Sequence, residues 1–112
     1  MLLYRLVMKD DLGNLVFYPL NQQVNNIGRN HDNHVVLPES SVSKLHAVIR
    51  FVNDKPVIED LGSLNGTFVN DRPINSPTEL KDGDEIILGE YRLHVKSGSD
   101  QEGDSTLTKV HV

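Results

Sequence analysis

The chain of 112 residues contains no cysteine, and this absence excludes several classes of protein at once. Without cysteine there is no disulfide framework and no zinc site built from thiolates. A chain of this length forms one domain with a sizeable core, so it needs neither cross-link for stability. The composition fits a reducing compartment, and we expect a cytoplasmic protein that uses no metal and no cofactor.

Long apolar runs and an excess of positive charge are also missing. The longest apolar stretches, such as Ile86 to Leu88, are far shorter than the roughly 20 residues that span a bilayer. The N-terminal residues pass directly into strand-like sequence, without the apolar stretch of a signal peptide. Lysine and arginine total 11 against 16 acidic residues, which gives a net charge of −5. Because an acidic chain binds nucleic acid and anionic lipid poorly, we expect neither as a partner.

Helical periodicity is missing as well, because no window of about a dozen residues keeps apolar positions at i, i+3, i+4 and i+7. Short segments rich in Val, Ile, Leu, Phe and Tyr alternate with turn sequences instead. The segments predicted as strands are residues 2–8, 15–20, 24–28, 34–37, 46–52, 56–60, 67–70, 72–74, 85–89 and 91–96. Many short strands at this spacing predict an all-β fold, an antiparallel sandwich or barrel.

The composition changes after Lys96. The last stretch, SGSDQEGDSTLTKVHV, is polar and shows no internal repeat. We therefore predict two segments, a folded domain over residues 1–96 and a flexible polar C-terminal tail over residues 97–112.

Two loop segments carry the residue types of a binding site. Gly28 and Arg29 close a strand-like segment, and a guanidinium there could hold phosphate or carboxylate with two parallel hydrogen bonds. The alternative is a solvated surface arginine. Further on, Ser63, Asn65 and Thr67 place three hydrogen-bonding side chains on one connection. That connection is either only a tight Asn-Gly turn or part of a binding loop.

Ser43 and His46 are the residue types of a nucleophile and its base, but nothing in their spacing makes them face each other. The sequence has no G-x-S-x-G elbow, and Asp60 would be an arbitrary choice of orienting acid. We favour a turn serine and a histidine whose ring nitrogens bond neighbouring backbone groups. The two histidines of residues 31–34 lack a third ligand at a telling spacing, so we predict no metal site there.

Together, these motifs resemble the forkhead-associated (FHA) domain, a phosphothreonine-binding module. The motifs are Gly28-Arg29, S-x-x-H at 43–46, DLGSLNGTFVN at 60–70 and L-x-x-G-D-x-I-x-x-G at 80–89. The resemblance runs from about Leu2 to Lys96, and the last two motifs are similar to small bacterial FHA regulators of the glycogen accumulation regulator type. It implies a β-sandwich of about eleven short strands in two sheets, with binding loops at one end.

The resemblance also implies a role for each motif residue. Arg29 would bind the phosphate, the Ser43 hydroxyl would donate to a phosphate oxygen, and Asn65 would bond the main chain of the ligand. The remaining positions would shape and support the loops, and they are Gly28, His46, Gly66 and Thr67.

Three positions depart from the common family pattern. Lys44 replaces a frequent arginine and supplies charge to the phosphate without the guanidinium fork. Leu64 replaces a frequent threonine, so that only its backbone N–H is left for the phosphate. Ser41 lies where some members carry an arginine that selects an acidic ligand residue. We therefore predict no acidic preference there. Ser41 itself is counted among the peptide-binding residues.

The function that we expect is phosphothreonine-peptide binding in Ser/Thr kinase signalling or another regulated protein–protein interaction, without enzymatic activity. Thr106 and Thr108 are candidate phosphorylation sites, and the phosphorylated tail would dock on its own domain or on a neighbour, giving a monomer or a dimer. The alternative is a solubilising tail. Two other functions stay open: an enzyme that uses Ser43 and His46, and a sandwich that assembles through its sheet faces.

Overall fold

Eleven β-strands make up the fold in the computed structural model, which describes residues 2–99 of the chain. In chain order the strands are β1 (Leu2–Lys9), β2 (Leu15–Pro19), β3 (Val24–Gly28), β4 (Val35–Val36), β5 (Ala47–Val52), β6 (Lys55–Asp60), β7 (Thr67–Val69), β8 (Arg72–Pro73), β9 (Thr78–Glu79), β10 (Glu85–Leu88) and β11 (Tyr91–Ser99). Among residues 2–99, no helix has the length and apolar character needed to cross a membrane.

The strands form two sheets. The six-stranded sheet has the order β2-β1-β11-β10-β7-β8, and the five-stranded sheet has the order β4-β3-β5-β6-β9. Neighbouring strands are antiparallel except for β3 and β4, which pair in parallel. The predicted all-β sandwich of about eleven strands is confirmed, with this one parallel pair as a difference.

The core lies between the inward faces of the two sheets. Leu6 on β1 lies opposite Val95 on β11, and Ile86 on β10 lies opposite Leu93, also on β11. All four are fully buried. The alternate positions along each of these strands face outward, because successive side chains point to opposite faces of a sheet. The five-stranded sheet contributes buried residues of the same kind to the cluster, namely Ile27, Ala47, Ile49 and Ile58.

Two hairpins turn on Asn-Asp pairs. Asn53 and Asp54 join β5 to β6 with φ of 53° and 65°, and Asn70 and Asp71 join β7 to β8 with φ of 50° and 67°. Positive φ at both central residues is type I′ geometry, whose twist matches that of the flanking strands. Asn and Asp tolerate this region better than other non-glycine residues. Asn70, which we had assigned to a strand, therefore lies in the turn.

Two further differences concern strand limits. The sequence pattern missed β9, a two-residue strand in which Thr78 lies opposite Ile58. It also ended the last strand too early, because β11 continues to Ser99 and its residues 97–99 pair with the start of β1. Asp82 supports this extension by accepting a hydrogen bond from the Ser97 N–H at 2.7 Å. The rest of the predicted tail, including Thr106 and Thr108, lies outside the described residues.

Candidate functional site

Three loops meet at one end of the sandwich. We call them the arginine loop (residues 29–34, between β3 and β4), the serine loop (37–46, between β4 and β5) and the asparagine loop (61–66, between β6 and β7). They meet because β5 is antiparallel to both β3 and β6, so the start of β5 lies beside the ends of its two neighbours. The ten site residues predicted from the sequence all lie on these loops or on the strand residues that border them.

Arg29 is half-buried and held at two points. Its backbone N–H donates to the Ser43 carbonyl at 3.0 Å, and its Nε donates to the Val42 carbonyl at 3.0 Å. Among residues 2–99, neither Nη nitrogen of Arg29 makes a hydrogen bond. The Nε bond therefore fixes the plane of the guanidinium while its two terminal nitrogens stay available to a ligand.

Ser43 ties the serine loop to the asparagine loop. The Leu64 N–H donates to Ser43 Oγ at 3.0 Å, so the Ser43 hydroxyl hydrogen must point elsewhere. The role of the Leu64 N–H at a phosphate stays a prediction, and here this N–H is bonded to Ser43. In this structure the Leu64 N–H polarises the serine hydroxyl, and the Leu64 side chain is 88% exposed.

His46 is fully buried and bridges the serine loop and the asparagine loop from the interior of the domain. The Ser43 N–H donates to His46 Nδ1 at 3.0 Å, so Nδ1 carries no proton. The proton is then on Nε2, which lies 2.9 Å from the Gly66 carbonyl and donates to it. Because both ring nitrogens are taken by backbone groups, neither is available to remove a proton from the Ser43 hydroxyl.

Asn65 projects from the asparagine loop and is exposed. Its Nδ2 donates to the Ser41 carbonyl at 2.9 Å, which orients the amide. Oδ1 accepts no hydrogen bond from residues 2–99, so it can accept one from a ligand. Ser41 is held in turn by the connection between β10 and β11, because the Glu90 N–H donates to Ser41 Oγ at 3.0 Å. A methyl group on Gly89 would lie 2.4 Å from Ser41 Oγ, so this contact requires glycine.

Asp60 organises the asparagine loop, a role that was not predicted from the sequence. Its Oδ2 accepts the N–H groups of Gly62 and Ser63, both at 3.0 Å. Its Oδ1 accepts the hydroxyls of Ser63 at 2.5 Å and Thr67 at 2.7 Å. Burial raises the pKa of Asp60, but these bonds from Ser63, Thr67 and Gly62 outweigh it and hold the pKa below its ordinary value. The spacing of Asp60, Gly62 and Ser63 is an Asx-turn pattern, which is the signal that could have identified this role.

The last turn of the asparagine loop depends on a glycine. Gly66 has a φ of +85°, in the left-handed region, and its N–H donates to Ser63 Oγ at 2.9 Å. Its carbonyl accepts from His46, and the next residue, Thr67, is buried with its hydroxyl on Asp60. Asn65 therefore sits on a turn held by bonds on both sides.

The arginine and serine loops approach each other closely at Gly28. A methyl group on Gly28 would lie 2.3 Å from the Lys44 carbonyl oxygen and 2.8 Å from Asn33 Nδ2. That carbonyl also accepts the Asn30 N–H at 3.2 Å and Asn33 Nδ2 at 2.8 Å. Lys44 itself is exposed, so its backbone joins the loops while its side chain faces solvent.

Comparison with known proteins agrees with this arrangement. The family model described as the FHA domain matches residues 25–89. The glycogen accumulation regulator GarA of Mycobacterium tuberculosis is 38% identical over 89 residues, which cover 80% of this chain and 54% of GarA. This chain therefore spans about half the length of the curated relatives it matches.

Solved structures give the same picture. One, described as a structural and functional analysis of phosphothreonine-dependent FHA domain interactions, is 36% identical, with a TM-score of 0.75 over 84% of this chain and 95% of that chain. A second is EmbR of Mycobacterium tuberculosis in complex with a low affinity phosphopeptide. It is 37% identical, with a TM-score of 0.74 over 84% of this chain and 24% of that chain.

Proposed function

This chain belongs to the FHA domain family, and from that premise we propose that it binds phosphothreonine peptides through its three loops. One observation carries the proposal. The Nη groups of Arg29, the hydroxyl of Ser43 and the amide of Asn65 are presented from three different loops that hydrogen bonds join into one surface.

The phosphate would be bound by the arginine and serine loops. A phosphothreonine carries about −1.5 to −2 charges and three strong acceptor oxygens. Arg29 offers two terminal nitrogens in a fork, Ser43 offers one hydroxyl hydrogen, and Lys44 adds a mobile positive charge. Charge-assisted bonds contribute about 1.5–3 kcal/mol each, so a few of them reach the range of micromolar affinity.

The peptide backbone would be bound by Asn65. Its Oδ1 can accept a main-chain N–H of the ligand while Nδ2 stays on Ser41. A hydrogen bond to the ligand's main chain does not depend on the ligand's side chains, so other contacts must select the amino-acid sequence of the peptide. Near Ser41 the rim carries Glu90, and this negative charge supports our expectation of no acidic preference at that position.

A binding role also fits better than a catalytic one. Hydrolysis by Ser43 would need a base that accepts its hydroxyl proton. The only candidate suggested by the sequence, His46, already receives the Ser43 N–H on Nδ1 and donates Nε2–H to Gly66. Together with the FHA relatives, this supports a binding module, and we propose that it acts in Ser/Thr kinase signalling in the cytoplasm.

The assignment of Arg29 is testable with a matched arginine control. A phosphothreonine peptide is titrated by calorimetry against the full chain, against Arg29→Ala and against Arg72→Ala, which removes an exposed arginine from β8. We expect Arg29→Ala to lose about 2–3 kcal/mol of binding free energy, or roughly 30- to 160-fold in affinity, because a charged bond to phosphate is removed. Arg72→Ala should stay within about twofold, and an Arg29→Ala protein of unchanged affinity would refute the assignment.

A further inference from the structure

The outward-facing side of the six-stranded sheet concentrates positive charge on three strands, away from the three loops. On β2, β1 and β11, the inward positions hold the core, and the outward positions alternate with them. The outward positions include four cations, Arg5, Lys9, Arg92 and Lys96. No outward position of these three strands carries a carboxylate among residues 2–99, although the whole chain has a net charge of −5. We call this three-strand surface the outer face.

Apolar side chains lie among these cations. Leu3, Leu15 and Phe17 point outward and are 49%, 54% and 51% exposed. The strand register puts Val7 on β1 directly between Phe17 on β2 and His94 on β11. Leu15, Phe17 and Val7 are neighbours on this face, and a contiguous exposed apolar patch is a mark of an interaction site.

The register also places two cations, Arg5 and Lys96, next to the apolar pair Phe17 and Val7. Arg5 lies opposite Lys96 on β11, and its guanidinium stacks over the Phe17 ring at 5.5 Å. Arg92 is paired with Glu85 on β10 at 2.6 Å. Arg5 and Lys96 have no carboxylate within ion-pair distance in the part of the chain that the structure describes.

The outer face borders a free sheet edge. β2 is the last strand of the six-stranded sheet, so one row of its backbone N–H and C=O groups faces away from β1. An extended segment can add to such an edge through main-chain hydrogen bonds, and its alternate side chains then lie over the same face of the sheet.

We propose that the outer face and the β2 edge bind an extended acidic segment of a partner protein, in which carboxylates alternate with apolar side chains. Carboxylates would pair with Arg5 and Lys96, and apolar groups would cover Phe17 and Leu15. The site shares no residue with the three loops, so a partner can occupy it whether or not a phosphothreonine is bound.

The test uses the full ¹⁵N-labelled chain and a synthetic unphosphorylated peptide of seven residues that alternates Glu with Phe and Val. Titration in about 0.15 M salt, where the Debye length is about 8 Å, removes most long-range attraction. We expect amide shifts in β1, β2 and β11, and not in the three loops. The same peptide with Lys in place of Glu should cause no shifts there.

Two double variants with the same change in net charge separate a local site from overall charge. Arg5→Glu with Lys96→Glu should weaken binding of the peptide by about tenfold, and Lys55→Glu with Lys81→Glu, at exposed positions outside the outer face, should change it by less than about threefold. Phe17→Ser keeps all charges and should also weaken binding, which covers the case in which the first double variant does not fold. Arg29→Ala should bind the acidic peptide unchanged.

Several results would overturn the proposal. One is an equal loss in both double variants, since binding would then follow net charge alone. Another is a set of shifts confined to the arginine and serine loops. Concentration-dependent shifts of the outer face without peptide would assign it to a second copy of the chain. Binding to phosphatidylglycerol vesicles without binding of the peptide would assign it to a lipid surface.

Discussion

Replacing Asp60 by alanine tests how the asparagine loop is held. The carboxylate accepts four hydrogen bonds, two from N–H groups and two from hydroxyls. Alanine removes all four at once. Asparagine should replace them with neutral bonds, because its amide oxygen can accept the two N–H groups while its NH₂ donates to the hydroxyls of Ser63 and Thr67, which reverses the direction of those two bonds. The two variants therefore separate the loss of contacts from the loss of charge.

The expected magnitude follows from burial. Bonds to a charged acceptor contribute about 1.5–3 kcal/mol each in isolation, but four bonds to one group are not additive. Gly62 is exposed, so water can replace its partner, whereas Thr67 is 1% exposed and its hydroxyl would be left unsatisfied. We expect Asp60→Ala to lower the free energy of unfolding by about 3–4 kcal/mol, and Asp60→Asn by about 1 kcal/mol. For a domain of this size the alanine variant should melt roughly 15–25 °C lower.

The assay is thermal and denaturant unfolding followed by circular dichroism at pH 7. Asp11→Ala is the matched control, because it removes an exposed turn aspartate that makes no side-chain hydrogen bond among residues 2–99. It should change stability by less than about 0.5 kcal/mol. The reasoning fails if Asp60→Ala costs no more than Asp11→Ala, or if Asp60→Asn is as destabilising as the alanine variant.

Three further predictions concern pH, packing and ligand choice. The pKa of Asp60 is lowered from 3.8 on folding, so its contribution to stability is present above that pH and is lost as the pH falls through the folded value. In acid unfolding, the stability advantage of the wild type over Asp60→Asn should therefore shrink in that pH range and stay constant above it. Gly28→Ala should destabilise by about 1–3 kcal/mol in denaturant unfolding, because the new methyl group meets the Lys44 carbonyl. In calorimetric titrations, phosphothreonine peptides should bind more tightly than phosphoserine peptides by about 1–3 kcal/mol through the γ-methyl, and affinity should fall below about pH 6 as the phosphate loses its second charge.

Much of the candidate site could be predicted from the sequence because its motifs are local. The motifs that carry the resemblance to the FHA domain identified ten positions, and the structure places all of them on the three loops or on the strand residues that border them. Pattern reasoning worked here because each motif lies where a strand ends, and turn residues mark that point in the sequence.

The part that the sequence analysis missed depends on partners that are far apart in the chain. Leu64 meets Ser43 across 21 residues and Asn65 meets Ser41 across 24, so the occupied N–H of Leu64 could not be inferred from either segment alone. Asp60 was set aside because it was judged as a member of a catalytic triad and not as an acceptor for its own loop.

By itself, the sequence determined the class of fold and most strand positions, because side-chain alternation and turn chemistry are local properties, and its motifs identified the loop residues through their resemblance to the FHA domain. Only the tertiary structure decided the pairing register, the short strand β9 and the end of β11, because these depend on hydrogen bonds between distant segments. The same holds for the outer face. Arg5 and Lys96 lie 91 positions apart in the sequence, and only the pairing of β1 with β11 sets them side by side.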